Sequence, residues 1–203
     1  MILKHIPMKI ISIVLGVLLL IFIGVQLFAI KSQRNIETYP YKVTKTYDSF
    51  EIRDYEPTLF TSVKLSTKNY KESSSKGFSI LAGYIFGDND RNEKIAMTSP
   101  VAMTLEDPIT MLFMVPKKFE KEKLPQPNQP QIVFKKEPAK TVAAISFNGW
   151  ADDDKIEHYK KKLKFALEKE EIPYTNRFYF LGYNAPYEVF NRKNEVIVEL
   201  SKD

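Results

Sequence analysis

Cysteine is absent from this 203-residue chain, and histidine occurs only at His5 and His158. The first absence removes disulfides, thiolate catalysis, cysteine-ligated zinc and iron–sulfur clusters together, and leaves the redox compartment unreadable. The second nearly removes metal sites and serine–histidine catalysis. His5 lies in the amino-terminal flank, and His158 falls about 200° round its expected helix from the apolar Ile156, which places it toward solvent. Seven glycines, scattered along the chain, form neither a dinucleotide fingerprint nor a phosphate-binding loop. Concentrated positive charge is lacking as well. Lys4 and Lys9 precede every acid, so the +5 net charge falls to +3 beyond the first thirty residues, with 28 basic against 25 acidic side chains interleaved. A nucleic-acid partner is excluded, because phosphate neutralisation needs clustered lysine and arginine.

What the chain does have begins with an apolar run. Ile10 to Ile30 carries no charge, and twenty-one helical residues at about 1.5 Å each reach the roughly 30 Å of a bilayer's hydrocarbon core. A cleaved signal peptide is the competing reading, since Lys4 and Lys9 resemble its basic leader. The length of the run and the lack of a small-x-small pair at its end favour an uncleaved single-pass anchor. The usual arrangement of such anchors puts the amino terminus inside and the rest of the chain outside the cytoplasm. The expected organisation is therefore an anchor over 1–30, a polar tether over 31–40 and one domain over 41–203.

Within that domain the hydrophobic periods predict strands over 41–55 and 58–66, a helix over 70–86 and a strand over 109–115. Residues 117–131 hold Pro125, Pro127 and Pro130 among lysine, glutamate and glutamine, a composition that predicts a linker or mobile loop. The same order then returns, with strands over 131–136 and 141–147, a helix over 153–171 and strands over 178–184 and 195–200. Two strand-strand-helix-strand-strand units, 41–116 and 132–203, imply duplication and an α+β fold with an antiparallel sheet curved around or under two helices. The segment Glu93–Thr104 alternates apolar Ile95, Met97, Val101 and Met103 with polar neighbours, as a half-buried strand does, yet Pro100 interrupts it. A bend there is the one reason the sequence offers for an open pocket. Phe78, Met97, Met103, Met111, Phe113 and Met114 are expected to converge on it from the first helix and two strands. Glu51, Asp54 and Glu56 cluster in sequence, but in a chain with 25 acids such a group more often faces water than catalyses.

Three segments carry a resemblance: Lys94-Ile-Ala-Met-Thr-Ser-Pro-Val101, Gly182-Tyr-Asn-Ala-Pro186 and Arg192-Lys-Asn-Glu-Val196 are similar to signatures of the SOUL haem-binding proteins. The resemblance extends from about Glu37 to Lys202. It implies a pseudo-twofold, distorted antiparallel β-barrel carrying two helices, similar also to effector-binding domains of bacterial multidrug regulators. It further implies reversible binding of haem or a related porphyrin in a shallow apolar cleft beside the first helix of the domain, as a carrier, buffer or sensor without catalysis. On this chain the cleft is expected to involve Phe78, Leu81, Ala82, Ile85, Met97, Met103 and Phe113. Where animal members present methionines and a lysine, this chain has Phe78, Ala82 and Gly83, and Glu188 replaces a second lysine. No histidine matches the one that some members place on iron, so haem would be held without a histidine axial ligand and with no metal-ligating side chain assigned. The alternatives are a site for another amphipathic or cationic small molecule, or a membrane-anchored interaction protein.

Overall fold

A computed structural model describes residues 7–33, 36–66 and 69–201. The chain opens with helix α1, Met8–Gln33, apolar over the 21 residues Met8–Phe28. Its side chains are exposed apart from Gln26, which is 8% accessible, among those described. A long apolar helix with almost no protein around it meets the length and composition of a membrane span, and those of a signal sequence too.

The hairpin β1 (Tyr41–Thr46) and β2 (Glu51–Tyr55) follows, then β3 (Thr58–Lys64). Helix α2 covers Tyr70–Ile85. Strands β4 (Val101–Thr104), β5 (Thr110–Met114), β6 (Ile132–Glu137) and β7 (Lys140–Asn148) lead to helix α3, Asp153–Lys169. Strands β8 (Tyr174–Gly182) and β9 (Lys193–Leu200) complete the domain. Both domain helices begin on side-chain caps. Asn69 accepts from the Glu72 N–H at 2.9 Å and Asp152 from the Lys155 N–H at 2.8 Å, satisfying amide donors that a first helical turn leaves free. Gly87, at φ +117°, supplies the positive angle on which α2 stops.

All nine strands join one antiparallel sheet, ordered β1-β2-β7-β9-β8-β4-β5-β3-β6. It curls into a half-barrel, so the fold is α+β. Alternation along the strands divides the apolar residues between its faces. Met111 and Phe113 of β5 pack toward α2, while Leu112 and Met114 face the inside of the curl. On the other half, Phe178 and Phe180 pack toward α3, and Tyr179 and Leu181 face inward. Met114 therefore does not join the expected methionine convergence, since β5 turns it to the opposite face from Met111.

Two local expectations are corrected. The segment before Pro100 forms no strand: β4 begins only at Val101. Ile95 is buried and its N–H reaches the Ile85 carbonyl at the end of α2, while Ser99 pairs in parallel with Thr38. Burial does not alternate along it either: Ala96 is exposed between Ile95 and the half-buried Met97, but Thr98, Ser99 and Pro100 are all buried, and Ser99 is held by backbone bonds to Glu37 and Tyr39 instead of by a sheet ladder. The second concerns 117–131, a loop whose side chains are mostly exposed but whose middle is tied to the domain. Leu124 is fully buried in the core beneath α2, and the Tyr84 hydroxyl donates to the Pro125 carbonyl at 2.9 Å.

Candidate functional site

Helix α2 rests on β3 and β5 through Ser73, Gly77, Leu81, Tyr84 and Ile85, all buried. Gly77 sets how close it comes. A Cβ there would stand 2.9 Å from Leu65 Cδ1 and 3.1 Å from Met111 Cβ. The next face of the helix bears Ser74, Ser75, Phe78, Ser79 and Ala82, and no strand covers it. Phe78, half-buried, lies with its ring 5.4 Å from that of Phe113.

Opposite this face stand β4 and the turn between β8 and β9, and the space between them is a cleft of two adjoining lobes. One, about 620 Å³, lies among Met97, Val101, Phe86 and the turn residues Tyr183–Glu188. The other, about 660 Å³, lies among Tyr70, Ala82, Met103, Met111, Trp150 and Arg192. Phe78, Val101, Gly182, Asn184 and Pro186 border both. Each lobe falls within the usual 300–1,000 Å³ of small-molecule sites.

Of the residues expected at such a cleft, Phe78, Ala82, Met97 and Met103 line it. Leu81, Ile85 and Phe113 lie beneath it, at most 4% accessible, in the core that α2 makes with the sheet. Helical periodicity explains the split, because Leu81 and Ile85 share the sheet-facing stripe while Phe78 and Ala82 lie one face round. The opposite wall, from Gly182 to Arg192 with Trp150, was not among the expected lining residues. Gly182–Pro186 and Arg192 were conspicuous in the sequence, but nothing in their spacing shows that they fold back against α2.

The wall is held from behind by buried charge. Arg53 on β2 donates to both oxygens of Glu195 on β9, at 2.8 and 3.0 Å, and the Glu195 side chain is fully inaccessible. The same carboxylate accepts from the Tyr183 hydroxyl at 2.6 Å and from Ser146 at 2.9 Å, and Lys193 lies 3.0 Å away. Burial alone would raise the Glu195 carboxyl; the hydrogen bonds and charge of Arg53, then Tyr183 and Lys193, hold it at about 2 instead. Tyr183, whose side chain is pinned to this carboxylate, thus carries the start of the cleft turn.

Arg192 does the corresponding work at the mouth. Its guanidinium lies 3.8 Å from the Trp150 ring centroid and donates to the Ala185 and Glu188 carbonyls at 2.9 and 2.6 Å. Its Nε is buried without a hydrogen-bond partner, and desolvation lowers its pKa. The Glu188 carboxylate accepts from the Asn184 amide at 2.8 Å and the Ala185 N–H at 2.9 Å. The lining is otherwise apolar or neutral, with Arg192 and Glu188 as its charges among the described residues.

The acids clustered in sequence do not meet at one site. Glu51 pairs with Arg53 at 2.8 Å, Asp54 accepts from the Thr141 hydroxyl at 2.7 Å, and Glu56 faces Lys117 at 3.7 Å on the surface. His158 is exposed on α3, edge-on to Tyr159. No group of three or more histidine, cysteine, aspartate or glutamate side chains placed to hold a metal ion occurs among the described residues.

Compared with known families, residues 36–199 match the family described as SOUL heme-binding protein. The chain belongs to the SOUL family. Among curated relatives, this SOUL chain is 28% identical to mouse heme-binding protein 2 over 157 residues, covering 73% of this chain and 76% of that one. It is 27% identical to heme-binding protein 1 of Xenopus laevis over 156 residues, covering 73% and 82%. The fold also matches the crystal structure of the EcmrR C-terminal domain, with TM-score 0.60, 12% identity and coverage of 80% and 99%. A hydrolase from Listeria innocua matches with TM-score 0.53 and 10% identity, covering 78% and 94%. At such identities these two structures speak for fold alone.

The three segments that carried the resemblance lie on the side of the cleft that faces α2. Met97 and Val101 line it, and between them Thr98 donates to the Met114 carbonyl at 2.7 Å. In Arg192-Lys-Asn-Glu-Val196, Arg192 reaches the mouth, Lys193 and Glu195 belong to the buried ion cluster, Asn194 donates to the Gly149 carbonyl at 2.8 Å, and Val196 packs under α3.

Proposed function

We propose that this SOUL-family chain binds haem or a related porphyrin reversibly in the cleft between α2 and the Gly182–Arg192 turn, as a carrier, buffer or sensor, without catalysing a reaction. The observation that carries the reading is the open cleft itself, walled by apolar side chains and bordered by the family's own signature segments. The residues fit the group in two respects. Phe78, Met97, Val101 and Met103 offer an apolar surface to a flat macrocycle, and Arg192, which borders the cleft, offers a positive charge to one of its carboxylates. Among the described residues, neither lobe is lined by histidine. Haem would supply redox and ligand-exchange chemistry when bound, while the protein's share is to bury the ring and orient its acidic edge.

Affinity then rests on apolar burial, at about 25 cal/mol per Å², less the cost of association, which favours an exchangeable complex. Iron-free protoporphyrin should consequently bind nearly as well as hemin. Parallel absorbance titrations of the full chain in detergent check this: affinities within about tenfold support ring burial. Binding of hemin alone would sink it and imply an iron ligand.

The open cleft speaks for a small-molecule site over a pure interaction surface, and its one carboxylate, Glu188, is already hydrogen-bonded, which disfavours a cationic ligand. We further infer that α1 is an uncleaved anchor holding the domain outside the cytoplasm. The duplicated origin expected from sequence gains support from the sheet: exchanging β2 with β6, β3 with β7, β4 with β8 and β5 with β9 reverses the order of these eight strands and leaves their neighbours unchanged.

A further inference from the structure

Gln26 is the buried side chain of α1 among those described, and its amide makes two bonds to a single loop. It donates to the Tyr187 carbonyl at 3.0 Å and accepts from the Val189 N–H at 3.2 Å, as a neighbouring strand would. One turn earlier on the helix, the Phe22 ring meets Phe190 edge-on at 6.3 Å. Phe22 precedes the end of the apolar span at Phe28 by six residues, or about 9 Å along the axis. Whatever touches Phe22 and Gln26 therefore lies within or just outside the hydrocarbon boundary if α1 spans a bilayer.

The loop suits that depth. Tyr187, Val189 and Phe190 are 52%, 44% and 57% accessible, a dense exposure of large apolar groups, while Glu188 between them is 7% accessible and hydrogen-bonded inward. An aromatic and aliphatic tip whose only charge is withdrawn belongs at a lipid interface, where tyrosine and phenylalanine gain from partial insertion. Phe86, also exposed, and Ile36, shortly after α1, border the same lobe of the cleft as Tyr187.

We propose that the Tyr187–Phe190 loop is inserted into the phospholipid interface beside α1, so that the near lobe of the cleft opens onto the bilayer surface and takes its ligand from lipid. The inference rests on the reading of α1 as a retained anchor. It deepens the porphyrin proposal, since porphyrins partition into membranes, but does not depend on it.

The test uses the full chain in phosphatidylcholine vesicles. Trp150→Phe removes the single tryptophan, and Phe190→Trp or Tyr187→Trp then places a reporter in the loop. The expected result is blue-shifted emission that drops when the lipid acyl chains carry bromine. Emission at the wavelength of water-exposed tryptophan, unquenched by brominated lipid in both variants, would overturn the inserted loop, whether the loop met water or another protein. Carbonate extraction separates the two readings: release of the chain would overturn the anchor and the insertion together, whereas retention with unquenched emission would overturn the insertion alone.

Discussion

Arg53 meets Glu195 with two parallel hydrogen bonds at a place where neither side chain exceeds 3% accessibility. Removing Arg53 leaves the buried Glu195 carboxylate with Tyr183, Ser146 and the part-exposed Lys193 but takes away its two guanidinium bonds, a loss bounded by the about 3–5 kcal/mol of breaking a buried pair. Arg53→Met should destabilise the domain by that order in chemical denaturation, and adding Glu195→Gln should recover part of the loss, because the orphaned group is then neutral. Equal stability of the single and double variants would show that the pair's charge is not what matters. The pair lies 142 positions apart, on strands β2 and β9 that are separated in the sheet by β7. Nothing local marks them, so their meeting was not legible in the sequence. Phe78 and Ala82 came to the cleft through the family resemblance, together with Leu81 and Ile85, which the helix turns into the core, whereas Arg192 needed the β8–β9 turn to bring it to Trp150.

At the scale of elements, α2 fixes the cleft's width, and Gly77 fixes how closely α2 lies on β5. Two effects of Gly77→Ala oppose each other. Alanine favours the helix by about 1 kcal/mol, while crowding in a packed core costs about 1–3 kcal/mol. The Leu65 methyl can move, but Met111 Cβ, 3.1 Å from the new carbon, is fixed to the strand backbone. Crowding wins, and thermal unfolding should show a net loss of about 1 kcal/mol with a lowered Tm. A raised Tm would mean that α2 shifts freely on its sheet. Helices α2 and α3 were legible from hydrophobic spacing, since each has one buried face of the right period, and β5 from its continuous apolar run, which is buried on both faces. The segments 93–100 and 117–131 were not: Ile95 alternates like a strand residue yet bonds to the end of α2, and Leu124 sits alone among prolines and charges yet is fully buried.

Across the whole molecule, Glu195 ties β2, β7 and the turn after β8 to β9, so its protonation bears on this half of the sheet. Its carboxyl is held at about 2 against an ordinary 4.5. A group depressed in the fold binds its proton more readily once unfolded, so its stabilisation is complete above about pH 4.5 and is lost as pH falls toward 2. Denaturation midpoints should decline through that window, and the decline should be shallower in Glu195→Gln. The central claim is that the cleft beside α2 holds a porphyrin by burying it, and Phe78 borders both lobes. The most direct measurement is a hemin titration, followed at the Soret band, of the full chain and of its Phe78→Asp variant. The account predicts saturable one-to-one binding by the native chain and an affinity at least about tenfold weaker with an unpaired carboxylate in the cleft. Absence of a saturable shift in the native chain, or identical curves for the two proteins, would contradict it.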